Sequence, residues 1–396
     1  MTFDLLHEKI QQAIKDLGYT TPTPIQEQAI PKVLEGCDLQ ASAQTGTGKT
    51  GAFILPALNI LMTPAAPGKG PRVLILVPTR ELAMQVANEA AKYSKHLPQV
   101  KTVCVYGGMP YPLQNKQLSR PYDILVATPG RLIDHLERKR INLSRVQIFV
   151  LDEADRMLDM GFVEPVEHIA SLTPKTRQTL LFSATLKGNV LKLSQRLLKN
   201  PLEIAIEPSV TEQKNIEQQL HTVDNIDHKY RLLDHLITEG AMSQVIVFTA
   251  TKHQADELAD KLCIEGHLAG ALHGDMNQRQ RTRTIAQLRK GAIKILVATD
   301  VAARGIDIPT ITHVINFDLP LSAEDYVHRI GRTGRAGATG IAVSFAAHRD
   351  GRLVQQIERF TGQKMTPTVI PGMEPKFKPQ FKPRKKSWGP PRRRFR

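Results

Sequence analysis

The sequence predicts an α/β protein made of two tandem parallel-sheet domains with a basic C-terminal tail. Three observations carry this. The chain has 396 residues, more than one ordinary domain of about 100–200 residues. Short, almost wholly apolar runs alternate with amphipathic stretches along most of its length. One pentapeptide, ILVAT, occurs at 124–128 and again at 295–299.

The apolar runs in the first half are RVLILVPTR, DILVATPGR, VQIFVLDEAD and QTLLFSAT; in the second they are SQVIVFTAT, AIKILVATD, THVINFDLP and TGIAVSFA. Runs this short and this rich in Val, Ile and Leu are expected as parallel strands buried on both faces. Helical patterns at 81–97 and 253–266 lie between them. Strand alternating with helix implies a doubly wound sheet in each half, whose ligands sit at the carboxyl ends of the strands.

The repeat is longer than one pentapeptide. VPTRELA (77–83) is echoed by VFTATKHQADELA (247–259), and YGGM (106–109) by HGDM (273–276). Three collinear echoes at nearly one spacing indicate two copies of a whole domain, since solenoid repeats have periods of about 20–50 residues. The duplication is incomplete. ASAQTGTGKT (41–50) has no partner near position 220, where the chain reads IEQQLHTVDN. Only the first copy is therefore expected to hold a nucleotide phosphate by itself.

These patterns place a first domain at 1–207, a linker at 208–215, a second domain at 216–362 and a tail at 363–396. Net charge is +15; the segment from Pro371 holds five Lys and five Arg against one Glu, hence +9 of that total. Such a Pro-rich, basic segment is expected to be disordered. The basic excess points to a polyanion, RNA or DNA, and no run of 18 apolar residues points to a membrane. Three scattered cysteines form no CxxC, and no apolar leader opens the chain; both fit a cytoplasmic protein. Tail residues Phe377, Phe381, Trp388 and Phe395, set among cations, suit stacking on exposed bases.

GTGKT follows a short strand pattern and opens an apolar helix, the context a phosphate loop needs. Gly46 and Gly48 free backbone N–H groups to wrap phosphate, Lys49 reaches the β- and γ-phosphates, and the Thr50 hydroxyl suits Mg²⁺. The strict pattern wants Gly at position 43, where this chain has Ala43. VLDEAD would deliver Asp152 and Glu153 to the same sheet edge, Asp152 toward Mg²⁺ through water and Glu153 toward the attacking water.

LDEAD with AQTGTGKT, SAT (183–185) and HRIGRTGR (328–335) resembles the DEAD-box RNA helicases of superfamily 2, and in particular their compact bacterial RhlE-like members. The resemblance runs from about Phe3 to Phe360 and implies two RecA-like domains, ATP and Mg²⁺ as cofactors, and RNA as partner. It implies that Gln44, Thr45 and Thr47 belong to the phosphate loop, that Gln26 reads adenine, and that Tyr19 and Phe3 wall the base. It makes Arg332 and Arg335 arginine fingers, catalytic beside Lys49, Asp152 and Glu153, and Gly305 and Asp307 ribose contacts. Asp155, Ser183, Thr185 and His328 become interdomain couplers. For RNA it implies Pro78, Thr79, Arg80, Gly107, Gly108, Thr128, Pro129, Gly130 and Arg131 in the first domain, and Thr249, Gln278, Arg281 and Thr299 in the second. Hydroxyls, backbone N–H groups and guanidinium groups suit phosphate and 2′-OH contact without sequence preference. The helix opening at Pro129 would be a wedge that bends one strand. The implied activity is ATP-dependent unwinding of short duplexes, in ribosome assembly or RNA turnover with the proteins of those processes; an ATP-gated RNA clamp is the alternative.

Overall fold

A computed structural model describes residues 2–43, 46–64, 68–206, 215–240, 242–303, 308, 310–334 and 338–376. Gln44, Thr45, Gly305, Asp307, Arg335, most of the expected linker and the tail from Phe377 lie outside them.

The first half folds around strands β1 (Leu39–Ser42), β2 (Val73–Leu76), β3 (Thr102–Val105), β4 (Ile124–Ala127), β5 (Ile148–Leu151), β6 (Gln178–Ser183) and β7 (Leu202–Ala205). They form a seven-stranded parallel sheet in the order β3-β4-β2-β5-β6-β1-β7. The second half has β8 (Ile216–Val223), β9 (Val245–Phe248), β10 (Ala269–Leu272), β11 (Ile295–Ala298), β12 (His313–Asn316) and β13 (Gly340–Ala347). Its six-stranded parallel sheet runs β10-β11-β9-β12-β13-β8.

The two orders superimpose strand for strand, with β7 added at one edge. The ILVAT copies are β4 and β11, each next to an edge strand. The bond after each is also repeated: Thr128 N donates to Val105 O at 3.1 Å, and Thr299 N to Leu272 O at 3.3 Å. The sequence repeat is thus a repeat of topology.

The inner strands β2, β4, β5, β9 and β11 bury both faces, which is why their runs are continuously apolar. In β2, Val73 and Ile75 enter one core cluster and Leu74 and Leu76 the other, the two-residue period of a strand. Phe53 of the helix Lys49–Leu61 packs on Phe182 of β6 with ring centroids 5.3 Å apart. Truncating a buried Phe of this kind to Ala costs about 3–5 kcal/mol, so the helix that carries the phosphate loop is anchored firmly to the sheet.

The boundary expected at 362 moves. Residues 363–376 are packed onto the second domain. Met365 is buried, Leu220 of β8 bridges Pro367, and Thr368 N donates to Leu220 O at 2.7 Å. Ile370 and Met373 pack against the second core. The physical reason is that β8 is an edge strand, whose unpaired backbone groups accept a further length of chain. No helix among the described residues is long and apolar enough to cross a membrane.

Candidate nucleotide cleft and interdomain RNA groove

The phosphate loop leaves β1 and turns into the helix Lys49–Leu61 through two left-handed glycines, Gly46 at φ 92° and Gly48 at φ 91°. A Cβ at Gly48 would lie 2.7 Å from Thr23 Oγ1 and 2.8 Å from Gln26 Nε2, so the position requires glycine on two counts. Gln26 Nε2 donates to Gly48 O at 3.1 Å, while its Oε1 accepts from Thr23 N at 3.1 Å. The residue expected to read adenine therefore braces the loop. Lys49 is buried and its Nζ donates to Ala43 O at 2.8 Å.

Beside the loop lies a cavity of about 260 Å³, lined by Tyr19, Gly46, Gly48, Lys49, Thr50, Tyr93, Asp152, Glu153 and Arg332 among others. Tyr19 and Tyr93 face each other with centroids 6.4 Å apart, and burial pushes the Tyr93 phenol up. Phe3 does not line this cavity; it packs against the adjoining core.

Strand β5 ends at Leu151 and delivers the two acids. Burial pushes the Asp152 carboxyl up to about 6, against the pull of nearby Lys49. Glu153 adopts φ 51°, ψ 51°, a left-handed conformation uncommon outside glycine and frequent where strain serves a site. Its N–H donates to Asp152 Oδ1 at 2.9 Å. Its buried Oε2 accepts no hydrogen bond from the described residues, although Arg156 Nε stands 3.6 Å away. Asp155 ties this corner to SAT: its N–H donates to Ser183 Oγ at 3.3 Å, and its Oδ2 accepts from Ala184 N at 3.0 Å. Thr185 N also donates to Ser183 Oγ at 3.3 Å.

Arg332 comes from the second domain, is buried, and donates from Nε to His328 O at 3.2 Å. His328 and Arg332 line a small interdomain cavity with Arg156.

The opposite interface holds a cavity of about 450 Å³, between Pro78, Thr79, Arg80, Gly107, Thr128, Gly130 and Arg131 on one side and Gly274, Arg281 and Val301 on the other. Gly108 and Gln278 line a neighbouring cavity. Pro129, Thr249 and Thr299 line neither; all three are buried at the carboxyl edges of their sheets. Arg281 is bound across the domains: Nε and Nη2 lie 2.8 and 2.7 Å from Glu81 Oε1, and the guanidinium also donates to His273 O and Ala302 O. Arg80 donates to Gln278 Oε1 at 3.4 Å beside it. Arg131 is likewise engaged, donating to Met109 O at 2.8 Å and standing 4.4 Å over the Tyr111 ring.

Two models of known families match, DEAD/DEAH box helicase over residues 23–193 and helicase conserved C-terminal domain over 228–337. The chain is 44% identical over 367 residues to the ATP-dependent RNA helicase SrmB of Escherichia coli (strain K12), covering 92% of this chain and 82% of that one. The chain belongs to the DEAD/DEAH box helicase family. It is also 45% identical to the ATP-dependent RNA helicase DeaD of Mycobacterium tuberculosis, over 93% of this chain but only 64% of that relative. Among solved structures it resembles S. cerevisiae Dbp5 bound to RNA and ADP BeF3, with TM-score 0.82, 32% identity, and 92% and 95% of the two chains covered. It resembles Mss116p bound to ssRNA and AMP-PNP with TM-score 0.84, 30% identity, and 92% and 77% covered.

Several supports of this helicase-family site were not singled out from the sequence, even where, as with Arg329, they lie inside a recognised stretch. Tyr93 forms the second aromatic wall. Arg329 grips Asp300 with both ends, at 2.6 and 2.8 Å, and Asn316 Oδ1 at 3.1 Å; it fixes the helix carrying His328 to the end of β11. Gln114 Nε2 donates to Tyr106 O at 2.9 Å and Met109 O at 3.1 Å, and its Oε1 is 3.0 Å from His135 Nε2. That arrangement assigns the proton to His135 Nε2. Tyr111 bonds Asp134 and lies between Arg131 and Arg138. Together they tie the turn at Gly107 and Gly108 to the helix Pro129–Glu137.

Proposed function

We propose that this chain is an RNA-dependent ATPase that closes on RNA and opens short duplexes locally. The observation that carries it is one cavity shared by Lys49, Asp152 and Glu153 of the first domain and Arg332 of the second. Phosphoryl transfer needs positioning and charge neutralisation more than covalent chemistry, and these four groups supply both once the domains meet.

Backbone N–H groups of the Gly46–Lys49 turn and the following helix end cradle phosphate. Lys49 exchanges Ala43 O for phosphate oxygens. Glu153, aimed by its left-handed backbone, orients and deprotonates the attacking water. Arg332 offsets the charge that develops at the transition state, an effect of about 10³–10⁵ in rate for arginine fingers. Thr50 and Asp152 offer only oxygen donors, and the unneutralised Asp152 carboxyl is raised; both fit Mg²⁺, which when bound neutralises phosphate charge. Across the molecule, Thr79, Arg80 and the Gly107 turn face the groove, with chemistry for phosphate and 2′-OH rather than base edges. The setting we assign is the cytoplasmic RNA of ribosome assembly or turnover; the bacterial relatives, ATP-dependent RNA helicases by name, support RNA as the partner.

The test compares ATP hydrolysis without nucleic acid, with single-stranded RNA and with DNA of equal length, alongside strand separation of a short RNA duplex. RNA should stimulate hydrolysis and strands should separate. Equal stimulation by DNA would sink the RNA reading, and stimulation without separation would leave an ATP-gated clamp.

A further inference from the structure

Arg156 directly follows the acidic run at the end of β5, yet the function proposed above gives it no part. It lies in the short helix Ala154–Asp159 and is buried, at 2% exposure. Its backbone N–H donates to Glu153 O and to Asp155 Oδ1, both at 3.0 Å. The side chain is held less well. Its Nε stands 3.6 Å from Glu153 Oε2, near enough for an ion pair and too far for a hydrogen bond. Arg156 Nη1 and Glu153 Oε2 are both buried and without a hydrogen-bond partner among the described residues. A buried arginine that serves packing alone looks different. Arg72 donates from its guanidinium to the carbonyls of Ile60, Leu61 and Thr63.

The two members of the pair face different cavities. Glu153 lines the nucleotide cavity. Arg156 is the first domain's contribution to the small interdomain cavity, whose other walls include Asp300, Asp325, His328, Arg329 and Arg332 of the second domain. That cavity measures about 10 Å³, room for one water at most, so Arg156 is packed against the second domain. The acids on the far wall are engaged there: Asp300 by Arg329 at 2.6 and 2.8 Å, and Asp325 by Ser322 Oγ at 3.0 Å. Glu153 is the carboxylate that Arg156 pairs with. A buried polar pair kept half-satisfied is costly and points to a use in the working site.

We propose that Arg156 is a positioning residue for hydrolysis. Backed by the second domain, its guanidinium holds Oε2 of Glu153 and leaves Oε1 to face the attacking water. When the domains part, the backing is lost and Glu153 loses its aim. The proposal rests on the role given above to Glu153, and adds the part by which contact between the domains reaches that acid.

The test is single-turnover ATP hydrolysis with RNA and the full chain in excess. R156Q and R156K are each made in the wild-type and the E153Q backgrounds. In the wild-type background R156Q should slow hydrolysis about a hundredfold, while affinities for an ATP analogue and for RNA stay within about twofold. R156K keeps the charge without the planar fork and should lose no more than about tenfold. In the E153Q background either replacement should change the residual rate by less than about twofold, because Arg156 acts through Glu153. A merely structural arginine would slow both backgrounds by the same factor, and that result would overturn the proposal. So would an unchanged rate in R156Q, or a loss confined to nucleotide affinity. Should R156Q fail to fold, R156K carries the same comparison between backgrounds. A wild type that hydrolyses no ATP with RNA would instead overturn the reading of the cleft.

Discussion

Replacing Glu81 by Gln removes the charge that Arg281 meets across the domain interface. Both side chains are less than a tenth exposed, at 7% and 8%, and the contact is 2.7 Å. Stranding one member of a buried pair costs about 3–5 kcal/mol. Arg281 keeps the carbonyls of His273 and Ala302, which lie in its own domain, so the low end applies. The cost falls on closure rather than on folding, because opening the cleft returns both groups to water. At about 3 kcal/mol the closed population should fall roughly a hundredfold. Arg281→Gln leaves the Glu81 carboxylate with only the charge of neighbouring Arg80 among the described residues and should cost a comparable amount. The double variant should recover part of the loss, since a Gln–Gln pair leaves no buried charge. Fluorophores on the two domains report closure with ATP analogue and RNA, and thermal unfolding serves as control. A shift below about threefold for Glu81→Gln, or strictly additive single effects, would refute the pair as a closing contact.

Glu153→Gln should lower RNA-stimulated turnover by about 10²–10⁴ while ATP and RNA still bind; Arg332→Ala should do the same from the other domain, both checked by steady-state phosphate release. Gln114→Leu frees the glycine turn from the helix Pro129–Glu137, so strand separation should fall about tenfold or more with RNA-stimulated hydrolysis little changed; a parallel fall in both would mean simple unfolding. His135 is held below its ordinary value of 6.5 first by burial and then by Arg131, so its contribution to stability is complete above that value and is lost as pH falls through the lower folded one. Melting temperature should drop more steeply between about pH 7 and pH 5 in wild type than in His135→Gln. Deleting residues 377–396 should lower RNA affinity and flatten its salt dependence by ~0.7 per lost phosphate contact; an unchanged slope would make that segment inert.

What could be read from the sequence was local. ILVAT marks a strand twice because a buried parallel strand is a short apolar run, and VLDEAD marks a strand end because acids abruptly follow Leu151. What escaped was set by tertiary approach. Tyr93 meets Tyr19 only because the helix Arg80–Tyr93 crosses the sheet to the nucleotide side. Arg281 lines the groove as expected for an RNA contact, but its pairing with Glu81, 200 positions away, has no local signal. Gln114 and His135 sit in ordinary amphipathic helices. The docked segment 363–376 was hidden by its prolines and lysines, which read as tail although the edge of β8 takes them up.

The incomplete duplication has a physical counterpart where the two sheets correspond. Sheet order matches β1 with β8. After β1 comes a glycine turn open to phosphate; after β8 comes Asp224, then Asn225, whose Oδ1 accepts from His228 N at 2.9 Å and caps the helix Ile226–Glu239. A bare helix start here would attract an anion. Instead Asp224 places a carboxylate at it, and the chain's own C-terminal segment covers it: Lys376 N donates to Asp224 Oδ2 at 2.8 Å, and His228 Nε2 is 3.0 Å from Met373 O. The cap occupies a donor that phosphate would need, and the Asp224 carboxylate repels an anion there. No phosphate turn like that after β1 follows β8 among the described residues, and Arg332 of the second copy lines the first copy's cavity. It lies beside Lys49 there in the same arrangement in which Arg281 meets Glu81. Under the proposed function, a single nucleotide site whose arginine comes from the other domain would make hydrolysis conditional on the domains meeting, and the same meeting forms the groove.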